Sequence, residues 1–216
     1  MLFIEILDIF GTFVFAISGA FRAVKYELDL LGVTVLAVST GVGGGIIRDI
    51  MLGQNPPLAI VDQKYVITCV IAALCAFVAT KRIAQRWNIV MLADAIGLGV
   101  FAAIGASKAA AAGMGPVGVM LMAALTATGG GVVRDILVSE IPAILTSDFY
   151  ASAALLGGAS FLLVQSFTDS QVAQLMACAT ITIVIRFLAM HFQISLPKVK
   201  SLPASPSQMT KERKSR

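Results

Sequence analysis

Two Arg-Asp pairs, Arg48-Asp49 and Arg134-Asp135, stand inside long apolar stretches of this chain. Each follows closely on three consecutive glycines, Gly43, Gly44 and Gly45 in one case and Gly129, Gly130 and Gly131 in the other. Ionisable side chains in an apolar segment cost several kcal/mol unless they are paired or wet, and they face a bundle interior or a water-filled cavity. Such pairs can clamp a helix, wall an ion path, or do both. The glycines invite two readings as well. Each weakens a helix by about 1 kcal/mol relative to alanine, so a triplet predicts a break that frees backbone carbonyls to line a path with Thr40, Thr126 and Thr128. Small residues also let two helices approach closely, and for the isolated Gly11, Gly19, Gly97 and Gly105 packing is the expectation.

Other chemistries find little support. His191 is the only histidine, and Cys69, Cys75 and Cys178 all fall in apolar runs, so no His/Cys metal spacing exists. Without a Ser-His-Asp or Cys-His arrangement to place, the chain is not expected to be an enzyme, and no cofactor is expected.

The charged pairs must be held by elements that live in lipid. With 58% hydrophobic and 13% charged residues, a chain of 216 residues could not hide its apolar surface as a soluble domain. Apolar runs long enough to cross a hydrocarbon core occur at 3–21, 32–52, 65–80, 90–107, 116–138, 149–168 and 170–192. The first lacks a basic start and carries Glu5 and Asp8, which argues against a cleavable signal.

Shifted by 86 residues, the sequence overlays on itself without a gap. Asp8 falls on Asp94, Gly11 on Gly97, Phe15 on Phe101, Gly19 on Gly105, Arg22 on Lys108, Thr40 on Thr126, and triplet on triplet with the Arg-Asp pairs behind them. Pro56 falls on Pro142, each placed to end its helix, and Asp62 on Asp148, each placed to cap the next one. A fixed register over so many special residues marks an internal repeat. Three spans per repeat reverse the direction of the second copy, which predicts two halves related by a pseudo-two-fold axis in the membrane plane. The expected organisation is a repeat over 1–86, an inverted repeat over 87–169, a seventh span at 170–192, and a basic, disordered tail over 193–216. The fold class is therefore an all-α polytopic membrane protein with seven transmembrane helices, an inverted 3+3 repeat plus one.

Orientation follows from the loops. Arg22, Lys25, Lys81, Arg82, Arg86 and the tail share one side, and the opposite loops hold little beyond Lys64 and Lys108. The positive-inside rule then puts the C-terminus in the cytoplasm and the N-terminus outside. Asp8, Arg48 and Asp49, with Lys108 nearby, gather at the outer mouth, and Asp94, Arg134 and Asp135, with Arg22 nearby, at the inner one. Trp87 fits an interfacial anchor, and Arg186 is placed to snorkel to the cytoplasmic surface. The basic tail suits attraction to anionic lipid. Nucleic acid is not an expected partner, since no binding module is recognisable.

The paired "GGGIIRD" and "GGGVVRD" in a 3+3+1 arrangement resemble the bacterial branch of the trimeric intracellular cation (TRIC) channel family, over about residues 3–192. The resemblance implies a homotrimer in the inner (plasma) membrane. Each subunit would have its own water-filled pore, bordered by the kinked helices at 32–52 and 116–138, and would conduct potassium and other monovalent cations. Bacterial sequences with the same duplicated domain are also described as glycine transporters. A passive channel and a small amino-acid carrier both remain open from the motifs alone.

The orientation has a direct test. In a cysteine-free variant, Lys25→Cys and Ala112→Cys should differ, with an impermeant thiol reagent on intact cells labelling only position 112. Equal labelling at both would remove the inverted arrangement.

Overall fold

The structure is a computed structural model that describes residues 2–83, 87–146, 149–192 and 194. Among them the secondary structure is all helical: α1 (Leu2–Lys25), α2 (Leu30–Met51), α3 (Leu58–Val61), α4 (Gln63–Ile83), α5 (Trp87–Ala111), α6 (Pro116–Leu137), α7 (Ala143–Thr146), α8 (Ala151–Gln165) and α9 (Gln171–Phe192). By length and composition, five of them can cross a membrane: α1, α2, α5, α6 and α9. The expected spans at 65–80 and 149–168 correspond to α4 and to the shorter α8, of 15 residues. Each is preceded by a single helical turn, α3 or α7, in a stretch that the sequence assigned to loop.

Local chemistry sets the helix boundaries. The Asp29 carboxylate accepts from Gly32 N at 2.7 Å and starts α2, and Pro116 occupies the first turn of α6. Asp62 accepts from Lys64 N at 3.0 Å and caps α4 as expected. The helix ends differ from expectation. Pro56 and Pro142 lie four or more residues beyond the helices they were expected to end. Instead α1, α2, α5 and α6 each close on a residue with positive φ, at Glu27, Gly53, Gly113 and Ser139. The amide after it reaches back five residues, as from Gln54 N to Asp49 O at 2.8 Å and from Glu140 N to Asp135 O at 2.9 Å. These turns satisfy the terminal carbonyls without proline.

The same pattern of contacts recurs in both halves. α1, α2 and α4 pack together, as do α5, α6 and α8. The halves meet along two crossings. On α1 and α5, Gly11 faces Val100 and Phe101, Gly97 faces Phe15, and the Phe15 and Phe101 rings stack with centroids 5.2 Å apart. As numbers rise on one helix they fall on the other, so equivalent helices run antiparallel. That is the inversion expected from three spans per repeat. α9 then packs on α5 and α8, over Gly99 and Gly157. Their counterparts Phe13 and Ile71 are large, and the first half has no such helix.

The glycine triplets do not break their helices: α2 and α6 run unbroken through them. Gly43 and Gly44 lie against Gly130, and Gly129 and Gly130 against Gly44, in a second antiparallel crossing. A methyl group on Gly44 would collide with the Thr126 carbonyl, and one on Gly130 with the Thr40 carbonyl. Gly45 and Gly131 are different. Each lies one turn before its arginine. A methyl group added to Gly45 would stand 3.6 Å from Arg48 Nη2 and meet nothing else, and one added to Gly131 would stand 3.7 Å from Arg134 Nη2 and 3.0 Å from the Tyr150 hydroxyl. Helical side chains lean toward the N-terminus, so each arginine folds back along its own helix beside the third glycine, at a distance a methyl group would also allow. Close backbone packing explains Gly44 and Gly130, while a methyl group on Gly43 or Gly45 would meet only ordinary contacts.

The crossing and the third glycine separate on mutation. Gly44→Ala forces the two backbones apart and should destabilise the purified protein by about 1–3 kcal/mol or more, lowering its thermal midpoint. Gly45→Ala should leave the midpoint within a few degrees. A comparable loss in both would reject the division of labour within the triplet.

Candidate functional site

The structure brings the charged residues together in two groups, one toward each end of the α2–α6 crossing. In the first, Arg48 is 2% exposed, and its Nε donates to Asp49 Oδ1 at 2.8 Å. Asp49 Oδ2 accepts from Leu58 N at 3.0 Å, so the single turn α3 exists to close on this carboxylate. Lys108 from α5 reaches Asp49 Oδ1 at 3.5 Å, and Asp8 from α1 stands 3.8 Å from Arg48 Nη1. In the second, Arg134 is 1% exposed, and its Nε donates to Asp135 Oδ1 at 2.9 Å. Its Nη1 donates to both Asp94 Oδ1 and Ser18 Oγ, each at 2.8 Å. Asp135 Oδ2 accepts from Ala143 N at 2.8 Å, the counterpart of the α3 contact, and Arg22 Nη2 lies 3.9 Å from Asp135 Oδ1.

Buried charges are tolerated only when paired and hydrogen-bonded. Each aspartate beside an arginine serves its guanidinium with one oxygen and the next helical turn with the other. The pair thus ties the helix end to the segment that follows.

Each cluster borders a cavity. A space of roughly 370 Å³ is lined by Glu5, Asp8, Asp62, Tyr65 and Lys108, among others, and a pocket of about 10 Å³ continues past Thr12 to Gly41, Gly45 and Arg48. At the other end a space of roughly 170 Å³ is lined by Arg22, Asp94, Arg134 and Arg186 together with Val90, Met91 and Ala143. Among the described residues, the cavities of the two ends share no lining residue. The expected pore threonines are largely engaged elsewhere. Thr40 and Thr128 donate to Leu36 O and Ala124 O of their own helices, at 2.6 and 2.8 Å, while Thr126 packs against Gly105.

Several residues of the site were not expected. Tyr65 donates to Asp8 Oδ2 at 3.2 Å. Tyr150 lies over Gly131 in the second cluster. These tyrosines are 85 residues apart, not 86, so the repeat register hid their kinship. Arg186 does not snorkel: it is buried, with its guanidinium 4.9 Å from the Tyr150 ring centroid, where the ring face attracts the cation. Glu140 takes Arg22 Nη1 at 2.5 Å and Lys25 at 3.4 Å, and accepts from the Tyr26 hydroxyl. Burial alone would raise the Glu140 pKa, but the Tyr26 hydrogen bond and the Arg22 and Lys25 charges hold it below the usual glutamate range. The same hydrogen bond raises the Tyr26 phenol. Asp62 is held below its usual value by the Lys64 backbone and side chain. The expectations for Asp148, the Trp87 side chain, the side chains of Lys81, Arg82 and Arg86, and the basic tail fall outside the described residues.

A solved structure concerned with conductance through TRIC cation channels is 41% identical, with a TM-score of 0.84 over 93% of this chain and 98% of that one. The chain belongs to the TRIC channel family. The TRIC orthologue of Rhodobacter sphaeroides is 35% identical, with a TM-score of 0.85 over 90% of this chain and 100% of that one. The family model described as "Glycine transporter" matches residues 5–81 and 91–166. Its two stretches start 86 residues apart, the register of the glycine triplets. A membrane protein of Deinococcus radiodurans is 39% identical over 91% of this chain and 92% of its own length. The inner membrane protein YadS of Escherichia coli is 38% identical over 88% and 93%. This TRIC-family chain is accordingly a membrane protein.

Arg134→Ala strips Asp94 of its hydrogen-bonded cation. Breaking a buried pair costs about 3–5 kcal/mol, so the thermal midpoint should fall by several degrees. Arg134→Ala combined with Asp94→Ala should recover much of the loss, because no carboxylate is then stranded. If the double variant melts no higher than the single one, the pair does not hold the bundle through its charge.

Proposed function

We propose that the chain is a monovalent cation channel, conducting potassium, that works as a homotrimer with a separate path in each subunit. The observation that carries this reading is the pair of cavities at opposite ends of the α2–α6 crossing, each lined by charges of one cluster. These are Asp8 and Lys108 at one end and Asp94 and Arg134 at the other, with Arg48 beside the pocket that continues from the first. The path runs from the cavity at Asp8, past Thr12, Gly45 and Arg48, to the cavity at Asp94, Arg134 and Arg22. Apposed backbones of Gly44 and Gly130 separate the two, so this conformation is closed. The arginine–aspartate pairs act as clamp and wall together. The described cation channels of the same fold support the channel and the trimer.

The placement follows the loop charges: an inner (plasma) membrane protein with the N-terminus outside, the Arg48 cluster at the outer mouth, and the Arg134 cluster with the C-terminal basic tail on the cytoplasmic side, near anionic lipid. The domains follow the repeat, 1–86 and 87–169, with α9 as an addition. A channel needs only shallow sites that release ions quickly. A carrier for a zwitterion such as glycine needs groups that hold both of its charges between the mouths. There the chain offers a glycine crossing with two of its three threonine hydroxyls bound to their own helices.

Purified protein in liposomes should pass potassium passively down its gradient, well above empty vesicles, with no saturable glycine uptake in the same vesicles. Saturable glycine uptake without potassium flux would replace the channel by a carrier.

A further inference from the structure

The repeat invites a comparison of the two mouths, position by position, and they differ in how firmly they are held. Arg134 Nη1 ties α6 to α5 through Asp94 and to α1 through Ser18. Arg48 Nη1 is buried and makes no hydrogen bond among the described residues, with Asp8 Oδ2 at 3.8 Å. Among the described residues, Arg48 hydrogen-bonds only to Asp49, its neighbour on the same helix. The residue in register with Ser18 is Ile104, which is fully buried and carries no hydroxyl. Asp8, the counterpart of Asp94, takes Tyr65 instead. Among the described residues, no hydrogen bond from Arg48 therefore crosses from α2 to α1 or α5.

A second asymmetry, on different residues, points the same way. On the Arg134 side, Glu140 gathers Arg22, Lys25 and Tyr26 from the end of α1 and staples it to the turn after α6. In register with these four on the other side stand Gln54, Lys108, Ala111 and Ala112. The acid has become an uncharged amide, and two of its three partners have become alanine. Lys108 turns instead to Asp49.

We propose that the mouth built around Arg48 is the moving gate and the mouth built around Arg134 is the fixed one, with Ile104 and Gln54 as the positioning residues that leave the first loose. A buried arginine with an unmade hydrogen bond raises the free energy of the closed state. It is relieved when Arg48 swings toward the cavity at Asp8, where Asp8, Glu5 and Asp62 offer carboxylates and water can enter. That movement clears the pocket of about 10 Å³ beneath it, between Thr12 and Gly45. The proposal rests on the path described above, but the identity of what passes does not enter it.

The test uses the full-length protein in liposomes, with its three cysteines replaced and Thr12→Cys as the reporter. Thr12 is 1% exposed, so labelling by a small impermeant thiol reagent reports opening at this mouth. Ile104→Ser, with Ile104→Thr as the variant closer in shape, gives Arg48 the hydroxyl that Arg134 already has. Gln54→Glu combined with Ala111→Lys and Ala112→Tyr rebuilds the staple on exposed positions, where folding is not at risk. Both sets should slow labelling by about fivefold or more, the population change expected of one net hydrogen bond, and lower single-channel open probability in step. Ser18→Ala, which loosens the other mouth, should leave labelling at position 12 within twofold. Unchanged or faster labelling in the rebuilt-staple variant would overturn the proposal, as would a response to Ser18→Ala as large as that to Ile104→Ser. Because labelling needs no ion flux, it decides which mouth moves even if the vesicles prove to carry glycine.

Discussion

The contact on which this bundle depends is the antiparallel crossing of α2 and α6, where two glycines of each helix meet and the carbonyls of Thr40 and Thr126 lie against the opposite glycine. In lipid there is little hydrophobic drive to bring helices together, so close backbone approach and its dispersion contacts carry much of the association. Only glycine permits that approach. The crossing also fixes the rotation of both helices. With Gly44 and Gly130 turned toward each other, Gly45 and Gly131 turn aside, and with them Arg48 and Arg134 one helical turn further on. The charge clusters therefore stand at opposite ends of the crossing because the glycines between them must touch.

Once a guanidinium is buried at each end, its surroundings follow from the cost of leaving it unpaired. The neighbouring aspartate answers the charge and, through its second oxygen, captures the first amide of α3 or α7. Those single turns are too short to be stable alone. They exist because a carboxylate holds their starts. The third spans then begin where these turns place them, and they deliver Tyr65 and Tyr150 to the clusters. One buried ion pair thus shapes some fifteen residues after it in each half.

Duplication made the two halves alike, and the departures from likeness show what each half has become. α9 covers α5, so 83% of the residues in its most apolar stretch are buried against 44% in that of α1, and the small residues Gly99 and Gly157 admit it where the first half has Phe13 and Ile71. Around the arginines the departures are single residues, Ser18 against Ile104 and Glu140 against Gln54. Substitutions of that size leave the fold intact and change how tightly one mouth is tied relative to the other.

Much of this protein is legible in its sequence. Composition demands a membrane. The 86-residue register, with three apolar runs in each copy, demands an inverted pair of halves, and the matched charges demand two clusters at opposite ends. These follow from the sequence because apolar length, repeat register and the cost of isolated charge are local or counting properties. What the glycine triplets do is not local. A run of three glycines can break a helix or pack it, and the outcome depends on whether another backbone lies within reach. Only the tertiary structure places Gly130 against Gly44 and so keeps both helices whole. The same holds for Arg186, whose fate near a helix end depended on Tyr150 arriving beneath it from another helix. Likewise Tyr65 and Tyr150 fell one residue out of register, and only shared surroundings show them to be counterparts. A residue's type limits what it can do in a membrane, but partners distant in sequence decide which of those things it does.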